Sequence, residues 1–217
     1  MEKEKTAQKK LLPGRFITLE GIEGVGKSTH MKFIQRYLHK RKIPYVITRE
    51  PGGTPVAETI RKILLTSHRE EMTSIAELLL LFAGRSQHIA NVILPALKEG
   101  KWVICDRFTD TSYAYQGYGR KLPLEQIETL EKWVQKDLQP NLVLLFDAPV
   151  KVALRRARRR GTTDRIEAEQ EEFFERAREG FLKRARQYPQ RIKVINASIA
   201  LSKVQLQIKS VLDKMLK

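Results

Sequence analysis

The sequence predicts an α/β fold in three layers, a central five-stranded parallel sheet flanked by helices. Five short runs are nearly continuous in apolar residues, as strands covered on both faces must be. Between them lie segments with helical spacing, and glycine- or proline-rich breaks fall near the junctions. Such alternation gives parallel pairing through right-handed crossovers and gathers ligands at the carboxyl ends of the strands.

Phe16 to Glu20 is the first strand, and Ser28 to His39 the first helix. Tyr45 to Thr48 is the second strand, closed by Pro51-Gly52-Gly53 and followed by helical spacing over Pro55 to Leu65 and over Ala76 to Leu97. Trp102 to Cys105 is the third, with Gln116-Gly117-Tyr118-Gly119 as a break before a helix over Leu124 to Asp137. Leu142 to Phe146 leads into Val150 to Arg159, the interruption Gly161-Thr162-Thr163, and a helix from Glu167 to Gln187. Ile192 to Ile195 and Ser202 to Leu216 complete the pattern. The chain of 217 residues is long enough for one well-buried core, so residues 16–217 are read as one domain. Residues 1–15 are rich in Lys and Glu without an apolar centre; they are expected to fray and do not read as a secretory signal.

The first strand runs directly into Gly21-Ile22-Glu23-Gly24-Val25-Gly26-Lys27-Ser28-Thr29, a phosphate-binding loop between a strand and a helix. Its glycines let successive backbone N–H groups turn toward a phosphate, and the following helix aims its positive end at the same point. Lys27 supplies a cation for the β- and γ-phosphates and Ser28 a hydroxyl for Mg²⁺. The plain alternative, a glycine-rich turn, would need Lys-Ser at this offset by chance.

The net charge of +16 raises the question of nucleic acid. The densest part, Arg155-Arg156-Ala157-Arg158-Arg159-Arg160, would point its arginines to several sides of a helix and has no interleaved aromatic platforms. It reads as a clamp for polyphosphate or as a solvated helix end, with nucleic acid not expected as a partner. The single cysteine, Cys105, excludes an internal disulfide and a cysteine-based metal cluster and fits a reducing cytoplasm. No segment has the apolar length of a membrane span.

The third strand delivers Asp106 and Arg107 together to the ligand edge, Asp106 to order Mg²⁺ or its waters and Arg107 to hold a transferring phosphoryl group. The pair would also serve simply to cap the following loop. Arg49 makes a similar exit from the second strand. Phe82 and Arg85, three apart on a helix, share a face suited to a nucleobase, although Phe82 alone reads as core. His88 has no companion at metal-ligand spacing and reads as structural.

Taken in order, Gly21 to Ser28, Arg49-Glu50-Pro51-Gly52-Gly53-Thr54, Phe82 with Arg85-Ser86-Gln87-His88, Asp106 through Gly117, and Asp164-Arg165-Ile166-Glu167 resemble bacterial thymidylate kinase, of the P-loop nucleoside monophosphate kinases. The resemblance runs from Phe16 to about Gln187 and implies transfer of the ATP γ-phosphoryl to dTMP, giving dTDP and ADP on the way to dTTP. It implies Mg²⁺, no covalent enzyme intermediate, and a homodimer for which Ala76 to Leu97 has the apolar length. By the same resemblance Glu23 meets the 3′-hydroxyl side of dTMP, Arg49 and Arg107 its phosphate, and Arg85, Ser112 and Gln116 the thymine edge. Phe82 would stack on the ring, one position on from the family's usual aromatic, where this chain has Leu81, and Tyr115 would crowd the 2′ position. With no arginine among Ile22, Glu23, Gly24 and Val25, the chain is similar to the type whose catalytic arginine lies in a lid, which the resemblance puts at about residues 155–167; Arg156, Arg158, Arg160 and Arg165 are available there, and Arg158 and Arg160 lie nearest Gly161.

Two rival readings remain: a kinase for another small acceptor on the same scaffold, which would have no use for the thymine-reading set, and a nucleic-acid-binding P-loop ATPase, motivated by the charge alone.

Overall fold

In the computed structural model, which describes residues 14–159, 161 and 164–216, five parallel strands lie in the order β2-β3-β1-β4-β5. The strands are β1 (Phe16–Glu20), β2 (Tyr45–Arg49), β3 (Trp102–Asp106), β4 (Leu142–Asp147) and β5 (Ile192–Asn196). The expected N-terminal extension lies outside the described residues except for Gly14 and Arg15, as do Arg160, Thr162 and Thr163 of the lid. Each strand after the first runs one polar residue beyond its apolar stretch, because backbone pairing continues where side-chain hydrophobicity stops: Arg49 stays in register with Asp106, and Asp147 with Asn196. The apolar stretches are buried on both faces in β1 and β4, while edge strand β2 is only partly covered.

The helices are α1 (Lys27–Lys40), α2 (Pro55–Leu65), α3 (Ser74–His88), α4 (Leu94–Lys98), α5 (Thr109–Ser112), α6 (Leu124–Gln135), α7 (Val150–Arg158), α8 (Glu171–Gln187) and α9 (Leu201–Met215). Thr54 and Thr73 start α2 and α3 by accepting the backbone N–H three residues on, with Pro55 in the first turn of α2. The helix expected over Ala76 to Leu97 is continuous but widens into a π-helical stretch, Ile89–Ile93, between α3 and α4. Pro95 explains the widening, since it has no N–H to donate and its ring crowds the carbonyl of the preceding turn.

One expectation is corrected. Gln116 to Gly119 is no break but part of a π-helical stretch, Tyr113–Gly119, that continues α5. Its glycines serve close approach: a Cβ at Gly117 would meet Leu124 at 2.5 Å, and one at Gly119 would meet the Phe173 ring at 2.6 Å. The stretch therefore sits flush against α6 and α8, and its residues Tyr115 and Gln116 reach the ends of the strands.

Candidate active site

The loop after β1 is shaped by what it touches. A Cβ at Gly21 would lie 2.3 Å from the Phe146 carbonyl oxygen, and one at Gly24 1.9 Å from that of Ala153; both residues have positive φ, +131° and +77°. Only glycine fits either position. Ile22 and Val25 turn inward and are buried, which anchors the loop in the core. Helix α1 begins with no capping side chain and no acid in its first turn, leaving its N-terminal N–H groups for an anion. Lys27 is buried, and its Nζ donates to the carbonyls of Gly21 and Ile22 at 3.0 Å each. Burial and then Arg107 lower its pKa, against Glu23, Asp106 and Glu20, which raise it. Ser28 and Thr29 are exposed on the first turn.

Next to this loop, β3 ends at Asp106, whose backbone pairs with Leu19 of β1. Its Oδ1 is buried without a hydrogen-bond partner, and the residue lines a cavity of about 230 Å³ together with Lys27. Among the described residues no cluster of three or more His, Cys, Asp or Glu suits a metal ion. A spare carboxylate oxygen on Asp106 and the open hydroxyl of Ser28 fit Mg²⁺, which takes few protein ligands and relies on substrate phosphates and water.

Arg107 follows with φ +70°, an uncommon conformation for a side-chain-bearing residue. The left-handed turn swings its guanidinium back over the phosphate loop. Nη1 donates to Gly21 O at 2.9 Å and Thr111 Oγ1 at 3.2 Å, while Nη2 donates to Glu23 and, at 3.1 Å, to the Tyr115 hydroxyl. Burial opposes its charge, but Tyr115, Glu23, Asp106 and Glu20 outweigh burial and hold the cation firmly protonated. Arg107 and Glu23 therefore join the phosphate loop to the cavity wall.

The far wall is built by α3 and the π stretch. Arg85 is 2% exposed, its Nε 2.7 Å from Glu50 Oε2 and its Nη2 3.0 Å from Ser112 Oγ, and its Nη1 is buried and unpartnered. Its guanidinium lies 4.5 Å from the Phe82 ring centre and 5.0 Å from that of Phe108. Phe82 lies where its core reading puts it and not on the cavity wall, as the stacking role would need: it is 2% exposed, packs with Leu78, Tyr113 and Ile127 and backs Arg85, while Leu81 lines the cavity. Tyr115 and Gln116 also line it; Gln116 Nε2 donates to Glu77 at 2.7 Å, and its Oε1 is buried without a partner. Arg49 stands at the rim, half exposed and paired with Glu58 at 2.9 Å.

The family model for thymidylate kinase matches residues 19–208. The thymidylate kinase of Vesicomyosocius okutanii is 50% identical over 200 residues, 92% of this chain and 98% of that one. That of Teredinibacter turnerae is 50% identical over 205 residues, covering 94% and 100%. The crystal structure of thymidylate kinase from Ehrlichia chaffeensis superposes with a TM-score of 0.76 at 33% identity, over 92% of this chain and all of that one. The chain belongs to the thymidylate kinase family. Thymidylate kinases are phosphotransferases acting on dTMP, and as nucleotide kinases they generally use a metal ion.

Against that family frame, the lid is only partly described. Arg158 ends α7, exposed, on a small cleft that it shares with Glu23, Leu154 and Glu167. Arg160, the other arginine expected there, lies outside the described residues. Arg156 instead donates to Ala197 O at 2.9 Å, and Arg165 to Leu64 O at 2.8 Å and to Glu77, which places both in bracing roles in this structure. His88 is structural as expected, fully buried with Nδ1 2.9 Å from Glu50 and Nε2 2.6 Å from Thr48 Oγ1.

Three buried acids in and behind this site carry no local sequence motif of their own: Glu20, Glu50 and Glu77. A signal existed for Glu77, since Glu77, Arg85 and His88 share one face at helical spacing and are polar within a largely apolar helix. Glu20 had a weaker one, an acid closing an otherwise buried strand. Its carboxylate accepts the Phe108 N–H at 2.8 Å and the Thr111 hydroxyl, bracing the turn that carries Arg107.

Burial, and then the charge of Asp110, raise the Glu20 pKa from 4.5 to about 7, against the opposing pull of Thr111, Arg107 and the Phe108 amide. A carboxyl raised on folding contributes stability that is complete below about pH 4.5 and is lost as pH rises through about 7. Glu20→Gln cannot ionise, so its stability relative to the parent is expected to improve by up to about 3 kcal/mol from acid to alkaline pH. Urea unfolding at about pH 5 and about pH 8 checks this; a stability difference that does not change between them refutes it.

Proposed function

We propose that the cavity beside the phosphate loop is the dTMP site, and that the γ-phosphoryl of ATP passes to the dTMP phosphate between Lys27, Asp106 and Arg107. The observation that carries this reading is the meeting of donor and acceptor parts at the ends of two adjacent strands, with Arg107 and Glu23 in contact across them. ATP phosphates lie along Gly21 to Thr29, on the N-terminus of α1. Ser28 and Asp106 would hold Mg²⁺, which when bound would supply charge neutralisation for the phosphates. Arg49 and Arg107 hold the acceptor phosphate, Glu23 faces the sugar, and Tyr115 closes the 2′ side. Arg85 supplies a spare buried donor and Gln116 a spare buried acceptor, the complement of a thymine C4 carbonyl and N3–H. Leu81 meets the ring face, with Phe82 fixing Arg85 from behind.

Phosphoryl transfer asks for positioning and charge stabilisation more than for covalent chemistry, and this set supplies both. Turnover measured by coupled ADP release with dTMP, dUMP, dCMP, AMP, GMP and shikimate is expected to favour dTMP; absence of that preference overturns the assignment. Arg158 and Arg160 serve as the lid cations. Their joint replacement by alanine is expected to lower kcat more than it raises the KM for dTMP, and an effect on KM alone would remove them from the transition state.

The enzyme is a cytoplasmic homodimer in this reading. Among the described residues no helix is long and apolar enough to cross a membrane. Val56 and Ile63 on α2 and Ile75 and Leu79 on α3 stand 41–54% exposed on two helices packed together, an apolar face suited to a second copy of the chain.

A further inference from the structure

We propose that Glu77 is the positioning residue that sets base selectivity: it pins the amide nitrogen of Gln116, presents the amide oxygen to the acceptor base, and so selects a pyrimidine carrying a ring N–H. The inference rests on the reading that Gln116 faces the base.

An ionised carboxylate only accepts hydrogen bonds. Gln116 can satisfy its contact with Glu77 Oε1, 2.7 Å away, only by turning Nε2 toward it. Its Oε1 must then face elsewhere, and it is buried without a partner on a residue that lines the cavity. A flipped amide would set oxygen against carboxylate in a site where Glu77 is 1% exposed, leaving two buried acceptors facing each other with no donor between them.

Two arginines keep Glu77 in the state this requires. Arg120 reaches both carboxylate oxygens, and Arg165, from the segment beyond the lid break, reaches Oε2. Burial alone would push the carboxyl up, but Arg120, Gln116 and Arg165 together outweigh it and hold Glu77 below the usual range. Arg120 is fixed in turn by Glu169, and the Arg165 backbone N–H donates to Leu65 O at 3.1 Å. The orientation of one amide is thus set by a rigid cluster drawn from α3, the π stretch and the lid segment. Thymine and uracil offer N3–H to the amide oxygen, whereas cytosine offers a bare N3 acceptor. The pinned amide repels cytosine.

In Glu77→Gln the new amide can pair with either face of Gln116, so Gln116 is free to turn and donate to cytosine. The dTMP to dCMP ratio of kcat/KM is expected to fall by about tenfold or more in this variant, and also in Gln116→Ala. Arg120→Gln and Arg165→Gln keep the contact between Glu77 and Gln116, so activity is expected to fall while the ratio stays within about threefold. If Gln116→Ala lowers the ratio and Glu77→Gln does not, Glu77 is not the orienting group, although Gln116 still reads the base. If neither lowers it, the reading of Gln116 fails and the proposal with it. An equal fall in all four variants would mean general loosening of the cluster and also overturns the proposal. Should Glu77→Gln fail to fold, Glu77→Asp keeps the charge for both arginines while withdrawing it from Gln116. It is expected to lower the same ratio, and an unchanged ratio there counts against Glu77.

Discussion

Replacing Lys27 by alanine is expected to lower kcat by about 10³-fold or more, a loss of about 4 kcal/mol of transition-state stabilisation, with little change in melting temperature. The asymmetry follows from where Lys27 sits. Its ammonium makes only two contacts, both with carbonyls of its own loop, and no carboxylate is paired with it among the hydrogen bonds and ion pairs described. The fold loses little when it goes. Its burial beside Arg107 weakens solvent screening, so charge developing on the transferred group would feel it strongly. Single-turnover kinetics with ATP and dTMP, set beside a thermal melt, check both halves. Activity within about tenfold of the parent would remove Lys27 from the reaction centre.

The second large effect is expected at Arg107, whose replacement by alanine should cost about 10²–10³-fold in kcat/KM and raise the KM for dTMP as well. One side chain here addresses the Gly21 carbonyl, the Glu23 carboxylate, the Thr111 hydroxyl and the Tyr115 hydroxyl. A lysine offers one compact charge with no planar fork, so Arg107→Lys is expected to recover little of the loss. Near-parental kinetics in the lysine variant would mean that charge alone matters at this position. Alanine also leaves the Glu23 carboxylate without this partner, so a fall in stability of about 1–3 kcal/mol should accompany the kinetic loss.

The strands were legible because burial, on both faces in β1, β3 and β4, writes itself as a nearly unbroken apolar run. Their last residues were not, since Arg49, Asp106, Asp147 and Asn196 pair through backbone atoms whatever their side chains. Gly117 and Gly119 misled for a related reason: glycine reads as a break, yet here it allows α6 and α8 to come close. Asp106 and Arg49 could be placed because each ends a strand, Arg107 because it follows one, and Lys27 because it opens the helix after the glycine loop. Glu20, Glu50 and Glu77 could not, because their partners lie far off in the chain: Glu50 meets Arg85 35 positions away, and Glu77 meets Arg165 88 positions away. Pairing of that kind is decided by tertiary structure, which local pattern does not report. The same holds for Phe82, where helical spacing fixed the face it shares with Arg85 but not the depth at which it rests.

The strand order divides the labour of the sheet in a way that bears on motion. Lys27 and Asp106 hang from β1 and β3, which have neighbours on both sides, whereas Arg49 ends and Glu50 follows β2, which is paired on one side only and partly uncovered. Edge elements open locally at lower cost than central ones. In the proposed site the rim at Arg49 therefore opens at lower cost than the strand ends beside Lys27 and Asp106, which would let a nucleotide enter and leave while the groups proposed to act on phosphorus keep their places.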